Sequence, residues 1–315
     1  MLYTFRDMIY ELAQTDQRII LICTDQDIGL SHMQRDLPNQ YFMEGISEAN
    51  IMGMASGLAA DGYIPFVVNH ASFITRRCYE QTVLDACLQD RPIRLIGMGG
   101  GLATAHLGPT HTVIEDIAIM RALPNMTVIA PCDADEMRRL MPLTLEWPQP
   151  IYIRLARYGK PIVSQNTDGF AIGKAILLHQ TDASNQNILF IATGAMTARA
   201  LATAKELEST GLPCAVLHIH TIKPLDKEAI FANALKARLM VTLEEHTLIG
   251  GLGSACLEAL IDALPPQRLP PILRMGLPDQ FIHQYGTQES LLQKFGLEAN
   301  QIAGKLINLV LHEPH

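Results

Sequence analysis

The stretch NQYFMEGISEANIMGMASGLAADGYIPFV, residues 39–67, sets Glu48 at the head of a small, apolar segment. Apolar residues recur at helical spacing over 49–62, and Gly62 supplies a natural stop. IPFVVNH (64–70) then reads as a strand. Gly53 and Gly57 lie four apart, flanked by Ala49, Ser56 and Ala60, so the helix offers a small face that another backbone or a flat ligand can approach. An acid in the first helical turn is ordinarily favoured by the helix dipole. In this setting it is also poorly solvated, and such a carboxylate holds its proton more tightly than one in water. That suits a group sharing a proton with a nitrogen base on a ligand.

Outward from this stretch, strands and helices alternate. RIILICTD (18–25) is a β-rich run preceded by a helix around 5–14. RRCYEQTVLDACLQD (76–90) reads as a helix, PIRLIGMGG (92–100) as a strand running into glycines, and TVIEDIAIMRALP (112–124) as a helix stopped by Pro124. MTVIAPCD (126–133), a helix to Trp147 and PIYIRLAR (150–157) complete the unit. Alternation of this kind predicts a parallel sheet covered on both faces. Residues 160–186 are polar and rich in turn formers, which breaks the rhythm. A second α/β unit follows, with NILFIATG, PCAVLHIHT and ARLMVTLEE as strands. The expected fold is α/β, two doubly wound domains with mainly parallel sheets: 1–160, a linker at 161–186, and 187–315.

Composition excludes several classes. A net charge of −8 without a Lys/Arg cluster speaks against nucleic-acid binding. No apolar run reaches the roughly 18–20 residues of a membrane span. Six cysteines are scattered without a C-x-x-C pair, and read as buried free thiols of a reducing, cytoplasmic compartment. His218 and His220 share a strand face, but without nearby Cys or acidic residues in sequence they predict no metal site.

EGISEANIMGMASGLA (44–59) resembles the stretch of transketolase pyrimidine-binding domains that carries the cofactor-activating glutamate. PFVVNHASFITRRCYEQ, GPTHTVIEDIAIMRALPNMTVIAPCDADE and YIRLAR extend the resemblance, and the second half resembles the family's C-terminal domain. The similarity runs from residue 5 to 310. It implies thiamin diphosphate as cofactor and gives Glu48 a role. A glutamate bonded to the aminopyrimidine favours its imino tautomer, whose exocyclic nitrogen takes the proton from the thiazolium carbon.

The same resemblance implies further residues. Phe73 falls at an aromatic position that stacks on the aminopyrimidine, and His70 where the family has another aromatic. Asp27 aligns with an acid on the thiazolium side, and Ser31 with a serine near the substrate's phosphate. His111 of GPTH inherits contact with the substrate's oxygens; an imidazole neutral near pH 7 can donate to an alkoxide and take the proton back. Arg157 aligns with a phosphate-gripping arginine, whose fork suits a dianion. Arg154 is expected to pair with a neighbouring acid. Gly99 and Leu107 depart from the family, which has a histidine and an acid there, and His106 is the candidate to replace one of them. LEEHTLIGGLGSA (243–255) reads as a structural strand–loop–helix start.

One element of the family is absent: no G-D-G, the mark of the domain that holds the diphosphate through Mg²⁺ (or Ca²⁺ or Mn²⁺), occurs in the chain. The chain is therefore expected to be the C-terminal subunit of a split transketolase. A companion subunit with the G-D-G-type domain would supply the metal, in an α2β2 assembly acting on a small sugar. The expected reaction moves a two-carbon ketol unit from a ketose or its phosphate to an aldose or another aldehyde. Alternatives are a β subunit of a 2-oxo-acid dehydrogenase, a deoxyxylulose-phosphate-synthase-like enzyme, or a non-catalytic partner.

Overall fold

A computed structural model describes residues 1–312 apart from 25–28, 157–160 and 182–185. Asp27 and Arg157 lie outside the described residues. The first sheet contains β1 (Ile19–Cys23), β2 (Tyr41–Met43), β3 (Ile64–His70), β4 (Arg94–Met98), β5 (Thr127–Ile129) and β6 (Ile151–Leu155). Every residue of β1, β3, β4, β5 and β6 is buried, as continuous apolar runs must be when helices cover both sheet faces. One face packs on α1 (Leu2–Thr15) and the helix Ala134–Leu145, through Phe5, Ile9, Met137 and Leu140. The other receives α3 (Glu48–Ala60), whose Ile51, Met52, Ala55 and Ala59 meet Ile20, Ile22, Val67 and Leu95. The short α2 (Ser31–Asp36) precedes β2.

The second sheet is built from β7 (Ile176–Gln180), β8 (Gln186–Ala192), β9 (Cys214–His218), β11 (Ala237–Thr247) and β12 (Ile272–Leu277), in the order β12-β11-β8-β9-β7. All its pairings are parallel except β7 on β9. The intervening strand, β10 (Thr221–Lys223), joins the first sheet instead. That sheet runs β10-β5-β6-β4-β3-β1-β2 and is parallel throughout except at β10. Two stretches differ from the sequence reading. Part of the expected linker, Ile176–Gln180, is an edge strand; its polar, half-exposed face is what made it read as a connection. The helix expected at 76–90 starts earlier, as α4 (Ala71–Arg76) directly after β3, and passes through a turn into a π-helical segment at Thr82–Cys87.

β10 comes from the second half of the chain yet closes the first sheet, pairing antiparallel with β5. Its Lys223 donates from Nζ to the carbonyls of Arg121 and Leu123. The halves also share buried polar contacts. Asp116 accepts from Tyr152 Oη and Arg154 Nε, both at 2.7 Å, and Arg154 Nη2 reaches the Glu245 carbonyl at 2.9 Å. Arg154 is thus paired with an acid, as expected. Glu136 Oε2 lies 2.9 Å from His218 Nε2, with both side chains fully buried. Cys132 joins these two to form a group of metal-capable atoms, which the sequence did not predict because the fold brings them together across 82 residues between Glu136 and His218. Burial pushes the Glu136 carboxyl up, but the charge and hydrogen bond of His218, with the charge of His220 and the Cys132 backbone N–H, together hold the group down at about 2.

His220 stacks on Phe170 with centroids 4.1 Å apart, and burial holds its imidazole down to about 4, against an ordinary 6.5. A base with a depressed folded pKa contributes stability that is present above pH 6.5 and lost as pH falls towards 4. Relative to His220→Gln, the wild type is therefore expected to lose about 3 kcal/mol between pH 7 and 4. Urea midpoints read from Trp147 fluorescence check this; parallel pH profiles of the two proteins would refute it. All six cysteines are buried and free. No helix among the described residues is long and apolar enough to cross a membrane.

Candidate functional site

The described site candidates all stand beyond the carboxyl ends of parallel strands, where open α/β sheets place their ligands. Glu48 follows β2 and opens α3; His70 ends β3, and Phe73 lies in the first turns of α4; His106 and His111 occupy the glycine-rich loop after β4. A parallel sheet puts these ends on one edge, which brings residues 48, 70, 73 and 111 together from three connections.

Glu48 is 6% exposed. Its Oε1 accepts from Asn69 Nδ2 at 2.7 Å and from Arg77 Nη1 at 3.0 Å. No described residue donates to its Oε2. Asn69 is held in turn by its Oδ1, which accepts the His70 backbone N–H at 2.6 Å. Neither Asn69 nor Arg77 was anticipated. The signals were there: a polar residue inside a fully buried strand, and a cation one helical turn after Phe73.

Three rings frame the space beside this carboxylate. His70 and Phe73 lie 5.7 Å apart, His70 and His111 5.4 Å, and Phe73 and His111 5.0 Å, all edge-on. These are the separations and tilts that ring quadrupoles favour. His70 thus meets Phe73 by its edge and does not stack on it within the chain. The Arg77 guanidinium lies 4.0 Å over the Phe73 ring. Burial, then the charges of Arg77 and His106, lower the His111 pKa, which keeps the imidazole neutral at pH 7. Its Nδ1 lies 2.9 Å from Thr110 Oγ1, and its carbonyl accepts from Thr104 Oγ1 at 2.8 Å.

The loop that carries His111 is shaped by its glycines. Gly99 has φ +71°, and a Cβ there would sit 2.5 Å from Thr104 Cγ2. A histidine at this position, as in the family, would be strained and would clash, so the departure is built into the loop. Gly101 (φ +70°) rests against Glu245, whose Oε1 accepts the Leu102 backbone N–H at 2.6 Å. Glu244 accepts from the N–H groups of Leu252 and Gly253 at the head of the next helix, and burial raises its pKa to about 7. His246 Nε2 accepts from the Ala118 N–H. The LEEH stretch is therefore structural, as its sequence context predicted.

His106 and Leu107 are exposed on the short 3₁₀ turn Ala105–Leu107. Ser31 is exposed at the start of α2. A cleft of about 380 Å³ opens beside the His111 loop, between Arg76, Pro109 and Thr112 on one side and Phe281 and Ile282 on the other. Arg76 is held there by Glu115, from Nε at 2.6 Å.

The site fits a flat aminopyrimidine. It offers a buried carboxylate with one oxygen spoken for, an aromatic face, and a planar cation already resting on both. Among the described residues, the metal-capable group Cys132, Glu136 and His218 includes none of the site's residues.

Residues 1–159 match the transketolase pyrimidine-binding domain, and 179–302 the transketolase C-terminal domain. The chain is 36% identical to SqwH, the 6-deoxy-6-sulfo-D-fructose transketolase subunit of Clostridium sp. (strain MSTE9), over 95% of this chain and 91% of that one. It is 33% identical to one of the apulose-4-phosphate transketolase subunits of Phocaeicola vulgatus, over 98% and 96%. A solved split-gene transketolase, described as an inactive β4 tetramer, superposes with a TM-score of 0.85 at 33% identity, covering 96% of this chain and 95% of that one.

Proposed function

The chain belongs to the transketolase family, and on that premise we propose that it is the pyrimidine-binding subunit of a two-subunit, thiamin-diphosphate-dependent transketolase. It transfers a two-carbon ketol unit from a ketose or ketose phosphate to an aldehyde acceptor. The observation that carries this reading is the environment of Glu48: a buried carboxylate fixed through Oε1, with Oε2 taking no hydrogen bond from a described residue, beside the His70–Phe73–His111 rings.

The bound cofactor supplies the nucleophilic thiazolium carbon that takes up the two-carbon unit. The chain's own residues do the rest of what this half contributes. Glu48 Oε2 accepts a hydrogen bond from the aminopyrimidine and shares its proton. Phe73 offers the face on which that ring lies. His111, neutral at pH 7, donates to a substrate alkoxide and takes the proton back. His106, exposed nearby, and Ser31 contact the substrate's hydroxyls or anionic group. Asp27 and Arg157 are assigned to the cofactor and the substrate phosphate from the resemblance alone.

A companion subunit carrying the G-D-G-type domain holds the diphosphate and its Mg²⁺, in an α2β2 assembly. The two relatives named as transketolase subunits, which this chain covers over 91% and 96% of their length, support this. So does the outer face of α3, where Ala49, Gly53, Gly57 and Ala60 are exposed, and nothing lies within 4 Å of a Cβ built on either glycine. That small face, expected from the sequence to admit a close neighbour, meets none at Gly53 or Gly57 among the described residues. The substrates named for the two relatives carry a sulfo group and a phosphate. The cations Arg76 and Arg77 around this site support an anionic sugar here as well.

Native purification of the tagged chain is expected to bring down a companion with the G-D-G pattern. The reconstituted pair should move a ketol unit between a ketose phosphate and an aldehyde without consuming pyruvate. A chain that purifies alone and binds thiamin diphosphate with Mg²⁺ tightly would sink the split reading. Pyruvate consumption with release of carbon dioxide would replace ketol transfer with the chemistry of the related synthases or dehydrogenases.

A further inference from the structure

Arg77 makes two contacts that belong together. It caps α4 one turn beyond Phe73, and its N–H bonds the Phe73 carbonyl at 3.0 Å, which puts both side chains on one face. Its guanidinium carbon then lies over the Phe73 ring in a cation–π contact at 4.0 Å, and Nη1 donates to Glu48 Oε1 at 3.0 Å. The side chain stays 44% exposed, whereas Glu48 is 6% exposed.

A guanidinium is planar, delocalised and edged with N–H donors. A protonated aminopyrimidine has the same three properties. Both groups satisfy themselves by laying one face on an aromatic ring and pointing an N–H at a carboxylate. Phe73 and Glu48 offer those two contacts; Arg77 already covers the ring and bonds Glu48 through Oε1, while Oε2 takes no hydrogen bond from a described residue. We propose that Arg77 is an internal stand-in for the cofactor's aminopyrimidine: it covers Phe73 and holds Glu48 until the cofactor arrives, which displaces it towards solvent. This rests on the reading of Glu48 and Phe73 as the cofactor pocket.

The stand-in has two consequences. While the site waits for cofactor, the buried carboxylate keeps a cation beside it in addition to the Asn69 donor, which offsets the desolvation cost of its charge. In return, a ring that lies on Phe73 must first displace the Arg77 guanidinium from it, so the chain holds its cofactor less tightly than the pocket alone allows. The half-exposed stem lets the guanidinium leave without disturbing α4. Once displaced, its charge stands at the rim of the site.

The test is calorimetric titration of thiamin diphosphate, at saturating Mg²⁺, into the complex of this chain with its co-purified companion. Arg77→Ala is expected to bind about tenfold tighter, the effect of relieving one partly exposed ion pair and cation–π contact. Phe73→Ala is expected to bind at least tenfold more weakly. If Arg77→Ala fails to fold, Arg77→Gln keeps a donor for Glu48 without the cation and should show the same tightening at smaller size. Unchanged or weaker binding in the Arg77 variants, with Phe73→Ala still weakened, makes Arg77 a permanent partner of Glu48 and overturns the proposal while the pocket stands. If Phe73→Ala and Glu48→Gln both bind as the wild type does, the pocket is misassigned and the proposal falls with it.

Discussion

Glu48→Gln is expected to leave the fold and the assembly intact while lowering turnover by about two to four orders of magnitude, the range that positioned acid–base groups contribute. The amide oxygen of glutamine can replace Oε1 and still accept from Asn69 and Arg77, so the buried site keeps its donors satisfied. The other atom becomes an NH₂ group. It donates where the carboxylate accepted, and it cannot share a proton with the aminopyrimidine. Steady-state ketol transfer by the reconstituted pair, with size-exclusion chromatography as the assembly control, measures the effect. A loss of only a few-fold would remove Glu48 from the proposed chemistry and favour a non-catalytic partner.

The second large effect lies at the contact between the halves. Asp116 has no exposed surface, and burial by itself would push its carboxyl up. The charge of Arg154, with that of His246 and the hydrogen bonds from Arg154 and Tyr152, together hold the group below the usual carboxylate range. Arg154→Met removes the cation and leaves Asp116 with Tyr152 Oη as its remaining side-chain donor. Stripping one partner from a buried pair costs about 3–5 kcal/mol. The double variant Arg154→Met/Asp116→Asn should recover much of that, because no charge is then left buried. Urea unfolding of the three proteins decides it; a single variant within about 1 kcal/mol of wild type would show that water reaches Asp116. The change should also loosen the glycine-rich loop that carries His111, since a Cβ on Gly100 would lie 2.5 Å from Arg154 Nε.

What could be read from the sequence, and what could not, divides along physical lines. Apolar runs such as Ile19–Cys23 and Ile151–Leu155 announced buried parallel strands, because a strand covered on both faces has no alternation to disguise it. Glu48, Phe73 and His111 were singled out because their local stretches resemble a family motif, and the fold brings Glu48, the His70–Phe73 turn and His111 to one edge of the sheet. Asn69 and Arg77 were not, although they are neighbours of quoted residues. Which strand end faces which helix head depends on the register of β3 against β1 and β4, and no periodicity within one segment encodes that. His218 looked isolated for the same reason: Cys132 and Glu136 reach it from the other half of the chain. The edge strand Ile176–Gln180 was missed because an edge needs only one apolar face and tolerates turn formers around it.

The strand Thr221–Lys223 sets a timetable for synthesis. A ribosome releases the first six strands long before it reaches residue 221. Until then β5, apolar and three residues long, stands at the sheet's margin with one row of backbone groups unanswered. The amino-terminal half cannot complete itself as it emerges, in contrast to the usual order for multidomain chains. Its last strand arrives from the sequence of the other half, and severing the chain between the sheets would leave an open margin on one piece and a stray strand on the other.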